Sequence, residues 1–311
     1  MAVVDDFVAE GARLESILGL LTEAQWLTES RAVGWSMADV VLHLAQSDEG
    51  VASSVGGVYR REGPAEGGTV DDWAARMVDA ERSAPAQVFT RWLHARDAAV
   101  EALRAADPQV PLQWVTGTVK PATLATTRLA EYWAHGLDIT GPLGIDFPDT
   151  SRLRNIAWLA HRTLPYALSL AGEAPVAVHC VLTAPDGVAT WTFGPDEAGS
   201  EISGPAGDFC RVAAQRLDPA ESGLRAVGPH GATALRVVRT YALRQPLLPA
   251  ESALRNDRGR VLRVMCIGSG QRARSAISTP RPSRMRSMPN SRALSRSPGG
   301  PDSVKAASAR G

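Results

Sequence analysis

The amino-acid sequence predicts an α-helical four-helix bundle, followed by a small α+β domain and a disordered basic tail. Three observations carry this. Apolar residues recur at helical spacing through roughly the first 140 positions, β-rich segments joined by a Pro-Asp-Gly turn appear beyond Asp149, and the composition becomes Arg/Ser/Pro-rich after Leu243. We place the boundaries at 1–150, 151–242 and 243–311. A chain of 311 residues that is 44% hydrophobic and holds eight Trp can bury a core without disulfide staples.

The first helix is read over 3–26, where Val4, Phe7, Val8, Leu14, Ile17, Leu18 and Leu21 fall at helical spacing. Gly11 shares that face; it weakens the helix slightly and lets a neighbour approach closely. TESRAVG breaks the pattern. A second helix opens at Ser36, three residues before Asp39, a spacing close to a capping box, and REGPAEGG ends the unit. A third stretch runs from about Val70 to Ala106. Pro85 stands where it can divide that stretch, since proline removes a ladder donor and clashes with the preceding turn. Pro121 suits the first turn of a fourth helix, which is expected to end at Gly141-Pro142. Beyond Asp149, SRLRNIAWLAHRTLPYALSLAG reads as a helix and VAVHCVLTAPDG with VATWTFGP as a hairpin. PAGDFCRVAAQRL and GATALRVVRTYA read as two further helices. The tail, with runs such as TPRPSRMRSMPNSRALSRSPGG, offers too little apolar surface to offset the entropy of ordering.

A formal net charge of zero conceals a split. From Leu243 onward there are 14 basic and 3 acidic residues, which leaves 19 basic and 30 acidic in the rest. An acidic body is thus joined to a basic tail. Clustered Arg suits phosphate contacts, but the tail lacks interleaved aromatics, and such runs are common when a GC-rich gene is read out of frame. Nucleic acid is therefore not an expected partner, and the tail is expected to be dispensable. The three Cys (Cys180, Cys210, Cys266) include no CxxC pair, which fits a reducing compartment. The acidic start MAVVDDFVAE lacks the order of a signal peptide, and no run of about 18 apolar residues exists to cross a bilayer, so a soluble, cytoplasmic protein is expected. No GxGxxG, P-loop or GxSxG motif is present.

The chemistry concentrates on two helices. Glu131 and His135 stand four apart, so they project from one face a turn from each other, and Asp138 continues that stripe. His43, on the second helix, shares its face with Asp39, Val40, Gln46 and Ser47. Two imidazoles and one carboxylate make the ligand set of a catalytic zinc site, with a fourth position left open; other divalent ions accept the same set. Pattern alone favours plainer readings: a surface hydrogen-bonded Glu/His pair, and a satisfied histidine at a bundle edge.

The segments GWSMADVVLHLAQSD (34–48) and TRLAEYWAHGLDITGPLG (127–144) change that balance. They resemble the two signature segments of the mycothiol-dependent maleylpyruvate isomerase family, whose metal-binding domain is a DinB-like four-helix bundle. Gly34-Trp35 and Gly136-Leu137-Asp138 match as well. The resemblance covers about 1–242, and APDGVATWTFGP and ISGPAGDFCRVAAQRL look most like an actinobacterial metal-binding subfamily. It implies that His43, Glu131 and His135 bind a divalent metal, zinc first. It also implies mycothiol as a possible cosubstrate, because a metal with an open position holds a thiol as thiolate at neutral pH. In the isomerase, thiolate addition to an activated double bond permits rotation from cis to trans before elimination; S-transferases of related fold use a similarly activated thiol. Asp138 and Arg128 are candidates for orienting a ligand or touching substrate. The plain alternatives are a solvated carboxylate at a helix end for Asp138 and an ordinary surface residue for Arg128. No catalytic residue is assigned.

Two functions follow. One is a metal- and thiol-dependent isomerase or transferase acting on a small electrophile. The other is a non-catalytic module in which the ion staples the bundle. The remaining histidines read as structural or solvated: His94 on an exposed helix face, His161 in a helix, His179 in a strand, His230 in a turn. Cys180 and Cys210 read as core.

Overall fold

A computed structural model describes residues 2–59, 69–115 and 117–240. The basic tail, Cys266 and all of REGPAEGG lie outside the described residues.

Helix α1 spans Ala2–Leu18 and buries Val4, Phe7, Gly11, Leu14 and Leu18. It stops at Gly19, so the single helix expected over 3–26 is two: a one-turn α2, Glu23–Trp26, follows with its own capping box from Thr22 and Gln25. Helix α3, Met37–Val55, begins at a full capping box in which Ser36 Oγ accepts from Asp39 N and Asp39 accepts from Ser36 N. Helices α4, Val70–Glu81, and α5, Pro85–Ala105, are separate, with Pro85 in the first turn of α5. A short hairpin of β1, Leu112–Trp114, and β2, Gly117–Val119, then leads into α6, Pro121–Leu143. Three-residue strands leave no usable alternation, which is why this hairpin is not legible in sequence.

Helix α6 runs past Pro142 and ends at Gly144, whose φ of 63° is the left-handed cap that glycine adopts without penalty. Pro142 withholds the N–H that would bond the Asp138 carbonyl four residues back; the backbone N–H of Arg31 donates to that carbonyl instead, at 3.0 Å. The loop before α3 is thereby tied to α6.

Helix α7, Leu153–Leu170, is followed by a four-stranded sheet. Strands β3, His179–Thr183, and β4, Thr190–Phe193, are the predicted hairpin. Strand β5, Glu201–Pro205, runs parallel to β3, and β6, Arg225–Val227, antiparallel to β5. These last two strands are short, β5 ends in Gly-Pro, and neither is anticipated from sequence. Helices α8, Ala206–Ala213, and α9, Gly231–Val237, pack with α7 against the sheet. The bundle portion and the sheet portion meet through buried or half-buried polar pairs: Arg152 to Glu10 at 2.7 Å and Asn155 to Asp6 at 2.7 Å. No helix among the described residues is long and apolar enough to cross a membrane.

Candidate metal centre

The apolar stripes of α3 and α6 pack together, and that packing brings His43 onto the pair Glu131/His135. One ligand atom from each of the three residues lies within 4.8 Å of the others. His135 Nε2 is 3.3 Å from Glu131 Oε2, and His43 Nε2 is 3.6 Å from the same oxygen. These separations are longer than good hydrogen bonds. They suit ligands at tetrahedral angles around one ion, because metal bonds of about 2.0–2.1 Å place neighbouring ligand atoms roughly 3.3 Å apart. The residues therefore fit a divalent ion in donor type and in spacing.

The site is nearly closed. His135 is 1% exposed, His43 18% and Glu131 15%, so any opening to solvent lies on the His43/Glu131 side. Trp35 forms one wall, with its ring centroid 5.2 Å from that of His43 and 6.5 Å from that of His135. Gly34, at φ 81°, turns the loop so that Trp35 lies there. The bonds Ser30 N to Trp35 O and Met37 N to Thr28 O hold the loop.

Asp138 is buried and pairs with the ring of His135, Nδ1 to Oδ2 at 2.9 Å. It is not the solvated helix-end carboxylate that its sequence position allows. Since a carboxylate only accepts, Nδ1 carries a proton, which leaves Nε2, turned towards Glu131, as the nitrogen that an ion can take. Arg216, from the segment after α8, donates from Nε to Asp138 Oδ1 at 2.9 Å and from Nη2 to Oδ2.

Arg128 is likewise no surface residue: it is 2% exposed and donates through Nε to Asp48 of α3 at 2.9 Å. Tyr132 OH also donates to Asp48, and Trp92 Nε1 donates to Tyr132 OH at 2.7 Å. The contact of Arg128 is thus with α3. Asp48, an acid within the apolar stripe of Leu44 and Val51, could have been suspected from sequence; Arg216 carries no such signal.

Electrostatics follow from this burial. Burial pushes the His43 imidazole below its ordinary pKa, and the nearby His135 and Arg128 add to that against the pull of Glu131. Burial alone would raise Glu131, but His135, His43 and Arg128 hold its carboxyl well below the usual range. Burial would lower His135, yet Asp138 and Glu131 raise it. The arrangement offers one anionic oxygen and two imidazole nitrogens, which is a metal site's requirement.

His94 is exposed as expected, and His161 Nε2 donates to the Val178 carbonyl, 2.9 Å away, in a structural role. His179 is buried within β3, and His230 stands at the residue before α9 without a side-chain bond to it.

The model of the mycothiol maleylpyruvate isomerase N-terminal domain matches residues 7–140, the stretch from α1 to α6. Two uncharacterised proteins of Mycobacterium tuberculosis, from strains CDC 1551 and H37Rv, are each 32% identical over 250 residues, covering 77% of this chain and 95% of the relative. Two crystal structures of the mycothiol-dependent maleylpyruvate isomerase, one of a histidine-to-alanine mutant, share the fold. Their TM-scores are 0.52 and 0.51, at 15% and 16% identity, over 72% of this chain and 91% of theirs. Through the domain at residues 7–140, the chain belongs to the mycothiol-dependent maleylpyruvate isomerase family.

Proposed function

We propose that this protein binds one divalent ion, zinc first among the candidates, through His43, Glu131 and His135, and that it presents a low-molecular-weight thiol such as mycothiol to a small electrophile, as an isomerase or S-transferase. The observation that supports this best is the spacing of the three donor atoms, all within 4.8 Å on two packed helices. When bound, the ion supplies the Lewis acidity that keeps a thiol deprotonated at neutral pH. The protein's own residues supply the rest. His43 stays neutral through burial, Glu131 stays anionic, and Asp138 fixes the tautomer of His135. Trp35 excludes water from one side. The solved neighbours are named for mycothiol and maleylpyruvate, and that naming suggests the thiol; the substrate class here is our inference.

Elemental analysis of protein purified without a His-tag tests the metal. Wild type should carry near-stoichiometric zinc and Glu131→Gln little. Thiol chemistry is tested by mycothiol consumption with small electrophiles, which His43→Ala should abolish.

A second reading, in which the ion only staples α3 to α6, is favoured by how closed the site is and by where the wide surface clefts lie. One of these clefts runs between α1 and α5, lined by Val8, Ala12, Arg96 and Val100. On that reading His43→Ala lowers thermal stability, and no thiol turnover appears at any metal loading.

A further inference from the structure

We propose that Arg216 is a positioning residue of the metal centre: delivered by a left-handed turn at Gln215, it clamps Asp138 and so fixes the ring of His135, which makes the α+β portion part of the site. The inference rests on the metal-binding reading above.

The turn is unusual. Gln215 has φ 61°, and among the described residues it is the only non-glycine with positive φ. Side chains rarely adopt this conformation, and it persists where surrounding contacts over-determine it. Here they do. Gln215 Nε2 donates to the carbonyls of Val212, at 3.1 Å, and Val238, at 3.3 Å; Arg216 N donates to Arg211 O at 2.8 Å. The effect is to end α8 and send the Arg216 side chain back to α6, 78 residues away in sequence. There it is 5% exposed and meets a carboxylate that is 2% exposed. Arg216 Nη1 also donates to Ala214 O at 2.7 Å, so the guanidinium is held from both sides.

This geometry does more than neutralise a buried acid. A guanidinium that grips both oxygens of a carboxylate fixes its plane, which a single point charge does not. Asp138 Oδ2 is the oxygen that accepts from His135 Nδ1, and Arg216 Nη2 also donates to that oxygen. The chain Arg216–Asp138–His135 therefore sets the direction of the Nε2 lone pair. Partners of this kind typically affect metal affinity by 10–100-fold. The bundle's own helices supply every ligand, but the orientation of one of them comes from beyond residue 200.

The test compares full-length wild type, Arg216→Lys and Arg216→Ala by competitive Zn2+ titration against a chelator and by the visible spectrum of the Co2+ form. Far-UV circular dichroism verifies the fold. Arg216→Ala should bind roughly 10–100-fold more weakly. Arg216→Lys keeps the charge and the fold but loses the two-point grip; it should show a shifted Co2+ spectrum and an intermediate loss. A purely structural residue would change melting without changing the spectrum of the folded variant. Folded Arg216→Lys with wild-type affinity and an unaltered spectrum overturns the proposal and leaves the metal site standing, and it decides the matter if Arg216→Ala does not fold. Wild type that takes up neither Zn2+ nor Co2+ overturns the metal reading itself, and this inference with it.

Discussion

At Cys180 and Cys210 the surroundings set the chemistry of a single atom. Both thiols are fully buried, and burial pushes Cys180 up to about 12 and Cys210 higher still. Neither can act as a nucleophile near neutral pH, since only the thiolate reacts. Iodoacetamide at pH 8 followed by peptide mapping should therefore leave both unlabelled in the native protein and label both after denaturation. The sign of the linkage also follows. A thiol raised in the fold contributes stability that is complete below its unfolded value near 9 and is lost as pH rises through about 12. Melting curves of Cys180→Ala should accordingly fall less steeply than wild type across that window. Gly136 shows the opposite use of space beside the candidate metal site. A methyl group there would lie 2.5 Å from Phe147 Cζ, and Phe147 is itself covered by Arg13, 3.5 Å above its ring. The resemblance shows this glycine beside His135, and the packing of Phe147 is its physical reason.

Between elements, the ligand geometry depends on how α3 lies on α6. Apolar packing drives that contact, and the buried pair Asp48–Arg128 fixes its register, with Tyr132 and Trp92 extending the hydrogen-bond chain from Asp48. Burial and the Asp48 charge together hold the Tyr132 phenol well above its ordinary value, so it remains a donor. Removing one member strands a charge. Arg128→Met should destabilise by about 3–5 kcal/mol in chemical denaturation, because Asp48 stays buried and unpaired. The double variant Arg128→Met/Asp48→Leu should recover most of that loss. Recovery of stability without recovery of metal binding would show that the ion pair acts on register rather than on folding. The helices themselves were legible: capping at Ser36, the break at Pro85 and the start at Pro121 are local signals, and local physics decides them. The three-residue strands β1 and β2 were not, because they are too short to show an alternation, nor was the parallel strand β5, whose partner β3 is not its neighbour in the chain.

At the scale of the whole molecule, the described residues end at Thr240, while the basic tail continues to Gly311. The M. tuberculosis relatives are covered over 95% of their length although only 77% of this chain takes part. We expect a chain ending at Ala242 to melt at the same temperature as the full-length protein and to bind zinc with the same stoichiometry. Calorimetry and elemental analysis check this, and lost solubility or lost metal would show that the tail contributes. A chain ending near residue 150 should behave differently. It keeps all three candidate ligands but loses Arg216, as well as the contacts of Arg152 and Asn155 with α1.

By itself the sequence determined that two helices carry a histidine and a Glu/His pair, since a spacing of four puts side chains on one face whatever surrounds them. Resemblance supplied the expectation that the two meet. Tertiary structure alone decided that Asp138 and Arg128 are buried and that they serve different helices. It also decided that an arginine 78 residues beyond Asp138 stands behind His135. The reason is physical. Helical periodicity is a property of neighbouring residues, whereas the partner of a buried charge is fixed by where the chain returns, and nothing local in the sequence records that return.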